Sequence, residues 1–330
     1  MLKRRDVLAL GASALAAPAL LPRTAIGQAK YPDRPIRMIV PFPPGGAYDT
    51  IARPWAERIR PMLGQIVIEN MGGAGGAVGA AAATRAQPDG YTILLAGATT
   101  HITEGLLKNK PMYDPMKDLT AVSGIAITAF AITAHPSVPV KTLQEFVTYV
   151  KANPGKISYG SAGHGSLNHL TGEQFKQKTG IADMPHVPYR GAGPAIVDLV
   201  SGQIPMIVPA MTNHVLELHR AGKARILAVT NDKRLEAAPE IPTAVEQGVA
   251  DLVTPNFVGI FVRTGTPAPI IAQVAQANLK LLAQSDYQKY LVSGTFIPHP
   301  GLGPDAYRKY VEVEMARWAP VVKALGIKLD

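Results

Sequence analysis

A proline- and glycine-rich stretch at residues 41–49 has the composition of a small-molecule site. It lies between a predicted strand at 36–40 and a predicted helix at 50–62. The first N–H groups of a helix have no partner within the helix and lie at its positive end, so a carboxylate or a phosphate is a natural occupant. An ordinary strand-to-helix turn, with Asp49 capping the helix, explains the stretch equally well. The candidate ligand contacts are Phe42, Pro43, Pro44, Gly45, Gly46, Tyr48 and Asp49.

Two later turns repeat this design. Residues 158–166 place hydroxyls and glycines ahead of a predicted helix at 167–179, and residues 188–195 place an arginine beside a glycine-flanked helix start. An arginine can hold a carboxylate with two hydrogen bonds, although a single arginine is more often solvated at the surface. Three such turns together favour an anion-binding cleft. The candidate contacts from the two later turns are Ser161, Gly163, His164, Gly165, Ser166, His169, Arg190, Gly191 and Ala192.

Several catalytic and metal-binding arrangements fit the sequence poorly. A nucleophile elbow needs glycines two residues before and after its serine, and neither Ser161 nor Ser166 has both. The glycine-rich turn at 73–79 lacks the spacing and the downstream acid of a dinucleotide site. The chain has no cysteine, and its eight histidines are dispersed without a zinc-binding pair on one helix face. The sequence therefore predicts no catalytic residue, no metal site and no cofactor.

The N-terminal residues have the order of an export signal. Three basic residues at 3–5 precede an apolar run at 7–21, and residues 27–29 offer a small-residue cleavage site. The paired arginines fit a twin-arginine signal in part, and a disordered basic start of a cytoplasmic protein is the alternative. No later run approaches the ~18 apolar residues of a membrane helix. We therefore predict a signal peptide at 1–29, cleavage near Ala29 and a periplasmic location.

The positive charge of the chain is spread rather than concentrated. The formal net charge is +9, with lysines and arginines scattered among acidic residues. A nucleic-acid-binding protein is expected to gather its cations on one face, whereas mild overall basicity favours small anionic ligands. We therefore expect no nucleic acid among the partners.

Strand and helix patterns alternate along the chain, which indicates an α/β protein whose mostly parallel sheets are flanked by helices. A chain of 330 residues exceeds the size of one hydrophobic core, so two domains are expected. Extended segments at 125–134 and 257–262 are predicted to cross between them as a two-strand hinge. The first domain then comprises 30–126 and 256–330, the second comprises 127–255, and the cleft between them is a favoured ligand site.

Motifs along the whole predicted mature chain resemble the Bug-type solute-binding receptors of tripartite tricarboxylate transporters. The resemblance implies a Venus-flytrap, type II-like periplasmic binding fold with a carboxylate ligand: a di- or tricarboxylate, an amino acid or an aromatic acid. It also implies integral-membrane transporter subunits as partners. The matching stretches are 31–36, 41–49, 69–79, 88–92, 159–163, 169–170, 189–195, 222–225, 242–246, 265–267 and 314–318.

The same resemblance implies further site residues. The ligand site of the family also carries over to Thr99, Thr100 and His101, which follow a predicted strand at 91–96. Three positions depart from the family pattern. Pro54 stands inside the first predicted helix where an aliphatic residue is usual, Pro209 stands where many members have aspartate, and Phe257 stands where tryptophan is usual. Together with Tyr48, these departures point to a ligand with an apolar or aromatic body.

We therefore interpret the chain as a monomeric, non-enzymatic receptor that delivers a small carboxylate to a membrane transporter. Two alternatives stay open. The first is an exported hydrolase or lyase that uses His164, His169 or Asp49, and a base within hydrogen-bond reach of a nucleophile would favour it. The second is a periplasmic sensor subunit, which only a partner experiment separates from a transport receptor.

Overall fold

The protein is described by a computed structural model that covers residues 31–329, so the predicted signal peptide at 1–29 lies outside the described residues. The strands are β1 (Ile36–Val40), β2 (Ile66–Asn70), β3 (Thr92–Gly97), β4 (Leu119–Thr128), β5 (Ala131–Ala134), β6 (Tyr159–Ser161), β7 (His186–Pro188), β8 (Met206–Ile207), β9 (Arg225–Val229), β10 (Asn256–Arg263) and β11 (Ile297–Pro298). The helices are α1 (Ala47–Leu63), α2 (Ala77–Thr84), α3 (Ala98–Ile102), α4 (Leu143–Ala152), α5 (Leu167–Thr179), α6 (Ala192–Val200), α7 (Asn213–Arg220), α8 (Ala268–Leu282), α9 (Ser285–Ser293) and α10 (Pro304–Leu325).

The strands form two sheets flanked by helices, as the α/β prediction requires. The first sheet has the order β11-β4-β10-β3-β1-β2, and the second has the order β7-β6-β8-β5-β9. The chain leaves the first sheet after β4 and returns to it at β10. The predicted extended segment at 125–134 is therefore two strands, one in each sheet, with a break at residues 129–130. The predicted domain limits at 126/127 and 255/256 stay predictions.

Both sheets are mixed rather than mostly parallel. The parallel pairs are those joined through helices, β1 with β2 and β3, and β6 with β7 and β8. The remaining pairs, which involve β4, β5, β10 and β11, are antiparallel. Strand β4 leads out of the first sheet and β10 leads back beside it, so the two run in opposite directions. The residues of a strand do not determine whether it pairs parallel or antiparallel with its neighbour. The sequence could therefore not predict that the sheets are mixed.

Helix boundaries follow from local sequence. Helix α1 buries Ile51, Trp55 and Ile59 on one face and ends at Gly64, whose φ of +66° is easy only for glycine. Helix α4 begins with a capping box, in which Thr142 accepts a hydrogen bond from the Glu145 N–H and the Glu145 carboxylate accepts one from the Thr142 N–H. The predicted limits of α5, 167–179, are those observed.

Both tryptophans belong to the core. Trp55 and Trp318 are 0% and 1% exposed. Burial of large aromatic side chains supplies much of the driving force that packs helices onto a sheet. Among the helices of residues 31–329, none combines the length and the apolarity needed to span a membrane.

Candidate ligand-binding site

The start of α1 presents backbone donors without protein partners. Its N-cap is Gly46, which has no side chain to accept a hydrogen bond. Among the described residues, the N–H groups of Ala47, Tyr48 and Asp49 have no acceptor. Unpaired N–H groups at the positive end of a 17-residue helix form an anion-binding site.

The start of α6 has the same form on the side of the second sheet. Its N-cap, Gly191, has a φ of +143° and makes no side-chain cap. The N–H groups of Ala192 and Gly193 have no acceptor in the described part of the chain, and Pro194 has no N–H to satisfy. A second set of free donors therefore stands opposite the first.

A partly open cavity lies between these two helix starts. It offers about 30 Å³ to the centre of a water molecule, enough for one or two waters. None of the described residues that line it carries a charge. An anion in this cavity would therefore be held by backbone N–H groups and neutral side chains. The lining residues are Phe42, Pro43, Gly46, Ala47, Tyr48, Thr99, Phe130, Ala162, Asn168, Ala192, Ala210 and Asn256.

Two buried amides give the cavity its polar side-chain groups. Asn168 donates through Nδ2 to the Val208 carbonyl at 2.7 Å, which leaves its Oδ1 as an acceptor. Asn256 accepts a 3.5 Å hydrogen bond from the Tyr48 hydroxyl at Oδ1, which leaves its Nδ2 as a donor. Burial raises the pKa of Tyr48 well above its ordinary value, so the phenol stays neutral. These groups fix the orientation of a ligand without adding charge.

Asp49 braces the loop that carries the first helix start. It is the third residue of α1 rather than its N-cap, so the alternative in which Asp49 caps the helix does not hold. Its carboxylate accepts hydrogen bonds from the Gly45 N–H at 3.2 Å, from Arg53 at 2.8 and 3.0 Å and from Asn70 at 3.0 Å. Burial opposes ionisation of Asp49, but these hydrogen bonds and the Arg53 charge outweigh it and hold the pKa below its usual value. The side chain thereby fixes the 42–46 loop.

The turns on the two sides of the cavity are in contact. A methyl group added at Gly191 would lie 2.8 Å from Pro43 Cδ, and one added at Gly75 would lie 3.1 Å from the His164 carbonyl oxygen. The Thr103 hydroxyl donates to the Gly165 carbonyl at 2.7 Å. Backbone segments on the two sides of the cavity therefore approach each other closely, and glycine is needed at these positions.

Several predicted site residues support the cavity wall rather than line it. The Thr100 hydroxyl bonds to the Gly97 backbone at 2.9 Å, and His101 Nδ1 bonds to the same carbonyl at 2.9 Å. Burial lowers the pKa of His101 to about 4, against the opposing effect of that carbonyl. Phe257 packs on the His101 ring, and the Pro209 carbonyl accepts from the Ala131 N–H.

The other predicted residues lie around the 158–166 turn. Gly163, His164 and Arg190 line a neighbouring cleft of about 210 Å³, which also receives the 73–76 turn. Ser166 caps α5 by accepting from the His169 N–H. The predicted residues thus divide between the central cavity, its supporting wall and this second cleft.

Six cavity-lining residues are absent from the contacts predicted from the sequence. Asn168 lies in the first turn of α5 and Asn256 opens β10, so a search for polar residues beside the predicted turns and crossing segments could have found both. Ala47 and Ala162 lie within the first two predicted turns, at 41–49 and 158–166. Phe130 and Ala210 carry no such signal, because they reach the cavity through the pairing of two segments distant in sequence.

A cluster of three histidines was missed as well. His164, His169 and His186 each place one ring nitrogen within 4.8 Å of the others, a grouping that could hold a metal ion. Zinc-binding pairs were sought only among histidines that are close together in the sequence. His186 arrives through the pairing of β7 with β6, which aligns it with Tyr159.

Comparison with known proteins agrees with this architecture. Residues 51–327 match the family described as the tripartite tricarboxylate transporter family receptor. The chain is 34% identical over 303 residues to protein BugT of Bordetella pertussis, a match that covers 91% of each chain. The structure of R. palustris Rpa4515 with adipate is 31% identical with a TM-score of 0.86, and covers 90% of this chain and 99% of that one. MatC from Rhodopseudomonas palustris with bound malate is 33% identical with a TM-score of 0.83, and covers 88% and 100%.

These matches span nearly the whole described chain, and they confirm the resemblance found in the sequence motifs. The solved relatives share the two-sheet architecture as well as the sequence. The protein belongs to the tripartite tricarboxylate transporter receptor family, the group of Bug-type solute-binding proteins.

Proposed function

We propose that this receptor captures a small carboxylate in the central cavity, between the starts of α1 and α6. The observation that carries the proposal is the pair of uncapped helix starts facing one uncharged cavity. Each supplies free N–H groups and a positive dipole end, which suit a carboxylate oxygen. Relatives solved with adipate and malate support a ligand of the same chemical class.

The apolar part of the cavity suggests the body of the ligand. Phe42, Tyr48 and Phe130 line it, and the Phe42 and Tyr48 rings lie 4.8 Å apart. These side chains suit a ligand with an aliphatic or aromatic carbon skeleton. That skeleton would exclude water from the cavity when the molecule closes. The Asn256 and Asn168 amides then set its orientation.

Closure gives the ligand-bound receptor a distinct surface for a partner. A ligand favours the closed form only as far as it binds that form more tightly than the open one. Contacts on both sides of the cavity supply this difference. We infer that the closed form docks on integral-membrane transporter subunits in the periplasm, after export directed by residues 1–29.

We further propose that the chain has no catalytic activity. Ser161 Oγ lies 2.6 Å from His186 Nε2, a nucleophile-to-base distance, but Ser161 is 2% exposed and does not line the central cavity. His186 Nδ1 has no orienting acid among the described residues. Burial, with the neighbouring His169, His164 and Lys176, lowers the pKa of His186 to about 3, which makes it a weak base at neutral pH.

Thermal melting against a panel of carboxylates tests the proposed function. The protein is unfolded, freed of bound solutes, refolded and melted with mono-, di- and tricarboxylates, including aromatic diacids. A ligand at 100 times its dissociation constant stabilises by about 2.7 kcal/mol, which raises the midpoint by roughly 5 to 10 °C for a chain of this size. A selective shift for one carboxylate class is expected, and matched amides or alcohols serve as the control. Equal or absent shifts across the panel would rule out a carboxylate receptor.

A further inference from the structure

A cluster of three imidazoles lies beside the proposed ligand site, on the side of the second sheet. His169 and His186 stack at 4.0 Å, and the His164 ring meets each of them edge-on, at 5.4 and 5.0 Å. One nitrogen of each ring lies within 4.8 Å of a nitrogen of the other two. Three imidazoles brought together by a loop, a helix and a strand make a ligand set of the kind that binds zinc.

His186 is oriented in the way metal-binding histidines are. Its Nε2 lies 2.6 Å from the Ser161 hydroxyl. Its Nδ1 is buried and has no hydrogen-bond partner in the described part of the chain. A buried ring nitrogen without a partner costs free energy, and a metal ion would satisfy it. A hydrogen bond at the opposite nitrogen fixes ring orientation and tautomer in many metal sites.

The imidazole rings of His164 and His169 each have a nitrogen available to bind a metal ion. His164 is exposed and makes no side-chain hydrogen bond to a described residue. His169 accepts a long 3.2 Å hydrogen bond from the Gly165 N–H at Nδ1, and its Nε2 has no described partner. Binding through Nε2 requires the tautomer with the proton on Nδ1, at the expense of that one weak bond.

Two charged side chains, Glu173 and Lys176, act on the His169 ring. Glu173 and Lys176 pair with each other at 3.0 Å, and Glu173 also accepts from the Tyr159 hydroxyl at 2.6 Å. These two charges offset each other, so the Lys176 ammonium repels a cation less than an unpaired ammonium would.

We propose that His164, His169 and His186 form a binding site for a transition-metal ion that favours imidazole, such as Zn²⁺, Ni²⁺ or Cu²⁺. Tetrahedral bonds of about 2.1 Å bring ligand nitrogens to about 3.4 Å from one another. The ring nitrogens lie within 4.8 Å of one another, so the rings must turn and close by up to about 1.4 Å, and the exposed His164 moves most easily. Water from the 210 Å³ cleft lined by His164 completes the coordination. Calcium and magnesium prefer oxygen ligands and are not expected here.

The site would act on the loop that closes the receptor. His164 lies between β6 and α5, in the turn whose backbone meets Gly75 on the other side of the molecule. Ala162, in the same turn, lines the central cavity. An ion held by a loop residue, a helix residue and a strand residue fixes this turn in one conformation, so metal and carboxylate binding would be linked.

Calorimetric titration of the untagged protein with ZnCl₂ and with NiCl₂, in a buffer without carboxylate, tests the site. One ion per chain is expected. His164→Ala should weaken binding at least roughly tenfold, since it removes one ligand without touching the core. His214→Ala, at an exposed histidine on α7, is the matched control and should bind as the wild type does. Cu²⁺ bound to the wild type should show electron-spin coupling to nitrogens, reduced in His164→Ala.

Three results would overturn the proposal. They are no saturable binding of either ion, equal binding by the wild type and His164→Ala, and an equal loss in His214→Ala, which would reveal adventitious surface binding. His186→Gln is a second variant, which tests whether the loss in His164→Ala comes from the missing ligand rather than from a local change in structure. It should lose metal binding while keeping the wild-type melting midpoint in the absence of metal to within a few degrees.

Discussion

Ala192→Leu is expected to weaken carboxylate binding by about 100-fold while the protein stays folded. Ala192 is the first residue of α6 and lines the central cavity, which leaves space for only one or two water molecules. Three extra carbon atoms leave no room for ligand and side chain together. Overpacking of this kind costs up to about 3 kcal/mol, which corresponds to roughly 100-fold in affinity. Calorimetric titration with the carboxylate found by melting measures the change.

The matched control lies on the same helix. Val197→Leu also introduces a leucine into α6, at a position that is 66% exposed and remote from the cavity. It should bind the carboxylate as the wild type does, and both variants should melt within a few degrees of the wild type without ligand. If Ala192→Leu bound with wild-type affinity, the ligand would have to lie elsewhere.

Trp55→Ala is expected to have the largest effect on stability. Trp55 is fully buried, and its Nε1 donates to Asn278 Oδ1 at 2.8 Å. Truncation of a buried tryptophan to alanine costs about 3–5 kcal/mol, because a large cavity remains. It also leaves the Asn278 oxygen without its donor. A fall in the melting midpoint on the order of 10 °C follows for a chain of this size, measured by calorimetry.

A pair of conservative changes separates packing from the hydrogen bond. Trp55→Phe and Trp318→Phe both replace a buried indole by a phenyl ring, but Trp318 Nε1 has no hydrogen-bond partner among the described residues. Trp55→Phe should therefore lower the midpoint further than Trp318→Phe, because only it leaves a buried acceptor unpaired. Equal effects would show that packing alone accounts for the loss.

Much of the fold could be predicted because it depends on residues that are close together in the sequence. The apolar face of α1, the capping box of α4 and the glycine that ends α1 are properties of consecutive residues. Strand direction could not be predicted in the same way. Whether β4 and β10 pair parallel or antiparallel depends on how the chain leaves and re-enters the first sheet. The residues of the two strands do not themselves determine how the chain connects them.

The residues of the candidate site can also be separated into those predictable from local sequence and those that depend on tertiary contacts. The free donors at Gly46 and Gly191 follow from a glycine between a strand and a helix, so the sequence predicts them. The alternative in which Asp49 caps α1 does not hold, because its carboxylate pairs with Arg53 and Asn70, and Asn70 is 21 residues away.

The missed residues share a different cause. Phe130 reaches the cavity only because its segment pairs with that of Ala210, 80 residues later. His186 joins His164 and His169 only because β7 pairs with β6. Such neighbours depend on tertiary pairing rather than on sequence spacing.

A crystal structure of the complex with the carboxylate selected by melting tests the central proposal most directly. We expect one carboxylate group in the central cavity, with its oxygens about 2.7–3.2 Å from the backbone nitrogens of Ala47 or Tyr48 and of Ala192 or Gly193. Asp49 should still be paired with Arg53. A carboxylate held instead by the Arg190 guanidinium in the neighbouring 210 Å³ cleft would contradict recognition by the two helix starts.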